Sequence, residues 1–415
     1  MDRSGQCPFV MDPDGSDIHG EIARLRDRGP VTQVELPGGV VVWSVTDDAL
    51  IRALLLDPRV SKDAYRHWPD WNDGTVPADW PLAIWVSVRN MVTAHGEDHT
   101  RMRRPVASAF TRRRIAALRP RIQRTADDLL DAMAAEPPGR PLDLRERFAH
   151  PLPHLVMCDL FGIPEEYRAG LHRIIKGFFR TSASAEEARA NAEALHTTIA
   201  DFLAHKRGNP GDDLTCDLIA VRDENGAALT EEELADNLIL LYTAGYETTV
   251  NLLDHAAHAL LRDPEQRELV RRGEAGWDDV TEEALRHEPP GAHAILRYAV
   301  EDIDTGGTVI RRGDPIMISY AAAGRDPARH GESADRFDVT RPTRREHLSF
   351  GHGAHHCLGA PLARLEASIA LGSLFARFPR LALADPDRPP APQRSFISNG
   401  HRELMVVLDH EAVED

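Results

Sequence analysis

The residues best placed to do chemistry are one thiol and its neighbours, Phe350-Gly351-His352-Gly353-Ala354-His355-His356-Cys357-Leu358-Gly359. A thiolate is a strong metal ligand, but a free cysteine titrates near pKa ~8.5, so its surroundings must favour the anion. The apolar run after Cys357 predicts a helix starting there, and the unpaired N–H groups and positive dipole end of a helix favour an anion. Glycines at 351, 353 and 359 let the backbone approach a flat cofactor and adopt positive φ. Pro361 suits a first helical turn, where its missing N–H costs nothing. Two plainer readings compete. Cys357 is an inert buried residue, which leaves the glycines and histidines without a purpose. Alternatively His352, His355, His356 and Cys357 form a zinc site. Zinc accepts those ligands, but the chain has no Cys-x-x-Cys to supply a second segment.

The pattern Phe-Gly-x-Gly-x-His-x-Cys-x-Gly, followed by Leu362-Ala363-Arg364, resembles the haem-binding loop of the cytochrome P450 superfamily. The resemblance covers nearly the whole chain. It implies that residues 1–415 form a single haem domain, mainly α with small β sheets, a triangular helical prism around haem b. It implies that Cys357 is the axial ligand of the haem iron, with Phe350, Gly351, His355 and Gly359 around the cofactor. No flavin or reductase domain is expected in this length.

A second stretch, Leu240-Leu241-Tyr242-Thr243-Ala244-Gly245-Tyr246-Glu247-Thr248-Thr249, is chemically odd for a helix. Gly245 costs about 1 kcal/mol relative to alanine in a helix interior. Mid-helix threonines bond the carbonyl four residues back and bend the helix, which opens a groove for a small molecule. The plain alternative is a kink with a surface glutamate. The segment resembles the family's Ala-Gly-x-Glu/Asp-Thr-Thr signature. That implies that Ala244 and Gly245 flank the haem, Glu247 gates protons and Thr248 holds oxygen. Tyr246 departs from the histidine common in relatives, which puts the local water network in question.

Buried carboxylates need donors. By resemblance the haem propionates are met by His99 and Arg103 of the segment 99–104, by Arg297 and by His355. Glu283 and Arg286 are three apart and share a helix face. The family completes such a pair with a later arginine, here Arg336 or Arg341.

The substrate pocket is expected from the segments 85–92, 178–179, 240–244, 291–295 and the tip near Ile397. Its named candidates are Val88, Met91, Phe178, Phe179, Leu240, Leu241, Ala244, Ala292, His293, Ala294, Ile295 and Ile397, with core packing the rival reading for each. Val60-Ser61-Lys62-Asp63, His67-Trp68-Pro69 and the run 85–91 look like soluble actinobacterial enzymes that hydroxylate steroids and macrolide-like polyketides. The implied function is a haem-thiolate monooxygenase using O2 and two electrons on a small lipophilic substrate. Oxidative coupling or peroxide-driven oxidation on the same haem is the alternative outcome.

Arg112-Arg113-Arg114, Arg119 and Arg344-Arg345 are basic clusters in an acidic protein of net charge -17. On the thiolate side they suit an acidic ferredoxin, served by a ferredoxin reductase. The acidity argues against nucleic acid as a partner. No run of eighteen apolar residues predicts a membrane span. The first residues lack the basic-then-apolar order of a secretion signal, and Cys7, Cys158, Cys216 and Cys357 show no paired spacing. A monomeric cytoplasmic protein is expected.

These groups need a scaffold. The runs 31–36 and 40–45 around Pro37-Gly38-Gly39 predict a hairpin, and 65–81 reads as an irregular loop. Helical spacing covers 112–133, 144–161, 186–205, 231–260, 279–287 and 362–378. Thr230 and Glu233 form a capping box, and Asp263 caps the next helix in the same way. Strands return at 296–300, 308–310, 316–320 and 404–408, with a turn at 312–314.

Overall fold

In the computed structural model, residues 7–137, 139–178, 183–220 and 229–408 are described. Helices dominate, and the β structure is confined to small sheets. The largest sheet has six strands in the spatial order Phe9–Val10, Val31–Leu36, Val40–Val45, Pro315–Ser319, His293–Ala299 and Val60–Ser61. The expected hairpin pairs Leu36 with Val40, and both turn glycines have positive φ, 87° at Gly38 and 79° at Gly39. That turn suits the twist of two antiparallel strands.

One helix, Glu231–Arg262, organises the rest. The Thr230 hydroxyl accepts from the Glu233 N–H, and the Glu233 carboxylate accepts from the Thr230 N–H. This threonine helix is buried along most of its length, because the helices Pro151–Phe161, Ala185–Gly208 and Trp277–His287 pack around it. The helix Ala360–Arg377, which follows the cysteine, packs on the threonine helix and on Arg119–Ala134.

Several elements differ in detail from expectation. The helix expected over 112–133 is two, Arg112–Ala117 and Arg119–Ala134. Pro120 has no N–H to continue the first, so it opens the second. The span 144–161 divides into a π turn, Arg145–Ala149, and the helix Pro151–Phe161, with Pro151 in the first turn. The loop expected over 65–81 contains the short helices Ala64–His67 and Pro69–Asn72, the first capped by Asp63. Asp263 accepts from two N–H groups of the next helix, Glu265 and Gln266.

Candidate active site

The cysteine loop is shaped by its own backbone. The Gly351 N–H donates to the Leu348 carbonyl at 2.7 Å, and the Cys357 N–H donates to the Phe350 carbonyl at 2.8 Å. Gly351 and Gly353 have φ of 70° and 72°, a region that costs other residues free energy. A Cβ on Gly353 would also lie 3.0 Å from the Leu55 carbonyl oxygen. Gly359 differs from expectation: its φ is -76°, and it caps the cysteine helix. The Arg364 guanidinium lies 4.5 Å from the centre of the Phe350 ring and also pairs with buried Glu282.

The helix start does aim N–H groups at the thiol. Burial pushes the Cys357 thiol above its ordinary value, while the Gly359 and Ala360 N–H groups and the Arg103 and Arg364 cations oppose this. The helix-end N–H groups therefore act in the expected direction, against desolvation.

The threonine helix runs uninterrupted through its odd segment. The Thr243, Thr248 and Thr249 hydroxyls donate to the carbonyls of Ile239, Ala244 and Gly245, each four residues back. A Cβ on Gly245 would lie 2.8 Å from Met157 Cε, the mobile end of a flexible side chain that can shift. Glu247 is buried, so the surface-glutamate alternative fails. Tyr246 turns towards the helix Pro151–Phe161 and meets His150 Nδ1 at 2.7 Å, while Tyr242 meets His154 Nδ1 at 2.5 Å.

Two cavities meet at His355. The larger, about 1060 Å³, lies between 55–60 and the helix Gly96–Ala109 and includes His99 and Arg104. The smaller, about 270 Å³, brings His355 together with Ala244 and Thr248. Three of the four expected propionate donors, His99, Arg297 and His355, line these cavities, and Arg103 is not among either lining. Arg297 is 6% exposed, lines the smaller cavity, and makes no hydrogen bond or ion pair among the described residues. His99 Nε2 and His355 Nδ1 are buried without a partner, their rings 4.2 Å apart. Burial first, then His99, Lys62, Arg297 and Arg103, push His355 down to about 2. Arg103 donates to the His356 carbonyl at 2.5 Å. A thiol met by two backbone N–H groups, with unpartnered buried donors nearby, fits a flat dianionic cofactor whose metal takes a sulfur ligand.

The arginine that completes the Glu283–Arg286 pair is Arg341. Its Nε donates to Glu283 Oε1 at 3.2 Å, while Arg286 donates to the same carboxylate at 2.7 and 2.8 Å. Arg336 contributes only its backbone carbonyl.

The smaller cavity is lined by Val88, Leu240, Ala244, His293, Ala294 and Ile397 among the expected pocket residues. Met91, Leu241 and Ala292 are not among its lining. Met91 and Leu241 pack in the main core, and Ala292 packs against Ile18 and Ile22. A single register or helix step turns each of them inward. The Phe178 and Ile295 side chains and the whole of Phe179 lie outside the described residues. Lys62, Ile84, Ile239, Tyr320 and Ser398 line the cavity and were not anticipated. Lys62 stood inside a recognised sequence run, and its type alone could have marked it.

Among the described residues, His352, His355, His356 and Cys357 do not group as metal ligands. The group that does is Asp254, His255 and His401. There Asp254 pairs with Arg145 and accepts from His401, which ties the threonine helix to the chain terminus. Arg114 pairs with Asp217, and Arg344 with Asp279, while Arg112, Arg113 and Arg119 are exposed.

The comparisons agree with this geometry. The cytochrome P450 family model matches residues 277–406. The chain is 46% identical over 410 residues to the 2-hydroxy-5-methyl-1-naphthoate 7-hydroxylase of Streptomyces carzinostaticus, covering 98% of each. It is 36% identical to the 6-deoxyerythronolide B hydroxylase of Saccharopolyspora erythraea, over 95% of this chain and 96% of that one. The solved structure of CYP154A1 from Streptomyces coelicolor superimposes with a TM-score of 0.92 at 50% identity, covering 96% of this chain and all of that one. With this identity along nearly its whole length and the same fold, the chain belongs to the cytochrome P450 superfamily and is a monooxygenase of that family.

Proposed function

We propose that this protein hydroxylates a lipophilic small molecule of polyketide or macrolide type. The carrying observation is the smaller cavity, which places His355, two residues before Cys357, against Ala244 and Thr248. Cys357 would hold the iron of haem b, and His99, Arg103, Arg297 and His355 would meet its carboxylates. Haem held there supplies the activation of dioxygen and the insertion of one oxygen atom into a C–H bond.

The chain's own residues control protons and water. Thr248, whose hydroxyl returns to the Ala244 carbonyl, can rotate that hydroxyl to donate into the cavity. Glu247 is a buried carboxylate one residue away, and it carries protons inward without a water-filled channel. Ile84, Val88, Ile239, Leu240 and Ile397 exclude water and orient the substrate. At about 270 Å³ the cavity sits below the usual ligand-pocket range of ~300–1,000 Å³. Relatives of this chain that hydroxylate a naphthoate and a macrolactone support a substrate of polyketide type.

Electrons come from a ferredoxin and its reductase. Exposed Arg112 and Arg113 sit on a helix that packs against the cysteine helix and offer an acidic partner a positive face. The chain acts as one monomeric haem domain in the cytoplasm; among its described residues no helix is long and apolar enough to cross a membrane.

The test is the reduced carbon monoxide spectrum of the purified protein. The thiolate-type Soret band is expected in the wild type and absent in Cys357→Ser. A colourless wild type, or a Cys357→Ser variant that keeps the band, overturns the assignment.

A further inference from the structure

The smaller cavity has a thin outer wall. Val88, Asn90 and Thr93 line it and also line a second cavity of about 440 Å³. That outer cavity reaches solvent at the exposed residues Arg89, Thr230 and Glu232. The wall, residues 88–93, is neither helix nor strand, so side chains must hold it. Within it, the Val92 N–H donates to Asn90 Oδ1 at 2.9 Å and the Thr93 hydroxyl to the Val88 carbonyl at 2.6 Å. Two consecutive buried residues of the threonine helix pin it from outside. The Arg89 N–H donates to Asp236 Oδ2 at 2.6 Å, and the Met91 N–H to Asn237 Oδ1 at 3.2 Å. Asp236 also has a partner on the helix Ala185–Gly208, because its Oδ1 meets His196 Nε2 at 3.2 Å. The other ring nitrogen, His196 Nδ1, lies 2.9 Å from the Ala192 carbonyl oxygen. Both nitrogens face acceptors. A neutral imidazole carries one N–H, so the two bonds together need the imidazolium.

We infer that His196 and Asp236 form a protonation-dependent clasp that holds residues 88–93 shut between the two cavities, and that small molecules pass this wall when the ring loses its proton. The clasp rests on the proposed function only in taking the smaller cavity as the substrate's site. The bond to Asp236 raises His196 above its ordinary value; burial opposes this, and the Ala192 carbonyl and Glu232 add to the rise. The other charges nearby are engaged elsewhere. Glu233 pairs with Arg101, Glu193 pairs with Arg189, and the Arg89 guanidinium lies 3.7 Å from the centre of the Tyr65 ring. A ring raised in the closed state keeps the clasp complete below ~6.5 and loses it as pH rises through the raised value. The His196 side chain is 45% exposed, so solvent protons reach it. Asn237 does not titrate, so it keeps the Met91 end attached and serves as the hinge.

The test makes two measurements on the haem-loaded protein. One is hydrogen–deuterium exchange of residues 88–93, corrected for the intrinsic pH dependence of amide exchange. The other is stopped-flow entry of metyrapone, a pyridine that ligates haem iron and stays uncharged over the range used. Between pH ~6 and ~9 the wild-type wall should lose about threefold in protection, the scale of a partly exposed ion pair, and metyrapone should enter about threefold faster. His196→Lys keeps a positive charge throughout, so its wall should stay protected and entry slow at both ends. His196→Ala should exchange fast and admit metyrapone fast at both ends. Neither substitution at this half-exposed position threatens the fold. A wild type whose protection ignores pH, or His196→Lys and His196→Ala proteins that behave alike, overturns the clasp. Metyrapone entry that stays constant while the wall opens overturns the passage. The exchange profile needs no substrate. A protein that shows it and yet hydroxylates no polyketide-type molecule therefore sinks the proposed function and upholds the clasp.

Discussion

Replacing Glu283 by glutamine tests the anchor beneath the cysteine loop. Glu283 and Arg286 are fully buried and Arg341 is 4% exposed. The carboxylate accepts from Arg286, from Arg341 and from the Asp338 N–H at 2.8 Å. It ties Trp277–His287 to the segment that leads into residues 344–357. Glutamine keeps the shape but removes the charge, leaving two buried guanidiniums without compensation. Breaking a buried pair costs about 3–5 kcal/mol. Arg286 keeps the carbonyls of Gly324, Ala334 and Arg336, and Arg341 keeps those of His330 and Ser333. Their hydrogen bonds survive, so the lower end, about 3 kcal/mol, is expected. For 415 residues, an unfolding entropy of ~2.1 cal/mol/K per residue gives roughly 0.9 kcal/mol/K. The melting temperature should therefore fall by about 3 °C. Far-UV circular dichroism melts and urea midpoints measure this, with haem per chain as the functional readout. The triple variant Glu283→Leu, Arg286→Met, Arg341→Met should recover much of the loss, since apolar replacement of a whole buried ion cluster is often neutral. A Glu283→Gln protein that melts and unfolds in urea like the wild type would refute the reasoning.

Further outcomes can be checked in parallel. Thr248→Ala should lower product at least about tenfold while NADH consumption continues, as expected for a lost proton donor; unchanged product per NADH would remove Thr248 from that role. Gly324→Ala should cost about 2 kcal/mol or more in urea unfolding, because the new Cβ would lie 2.0 Å from the Arg286 carbonyl oxygen. Gly245→Ala should be nearly neutral, because it meets only the flexible end of Met157 and gains helix propensity of about 1 kcal/mol; equal losses in the two would contradict the packing argument. Burial holds His154, His255, His258 and His293 down at about 4. Their unfolded value is near ~6.5, so the unfolded chain binds more protons between these limits, and stability present above ~6.5 is lost as pH falls towards 4. Glu366, raised by burial to about 8, acts in the opposite direction above its unfolded value but is one group against four. The urea midpoint should therefore drop from pH 7 to 5, and a flat profile would count against neutral buried histidines.

The sequence by itself determined the chemistry. Cys357, its glycines and the Thr248 segment are local patterns, and each residue type carries its reactivity wherever the chain goes. The hairpin at Gly38-Gly39 and the Thr230–Glu233 cap were equally legible, because hydrogen bonds between near neighbours fix them. Tertiary structure decided which way side chains face and what surrounds a charge. Met91 and Ala292 turned into cores because one residue step rotates a side chain away from a cavity. The thiol of Cys357 rose because desolvation depends on every neighbouring segment. Arg341 was chosen over Arg336 by a fold that brings residue 341 to Glu283 across 58 positions. His196 meets Asp236 across 40 positions, and no local pattern encodes that distance.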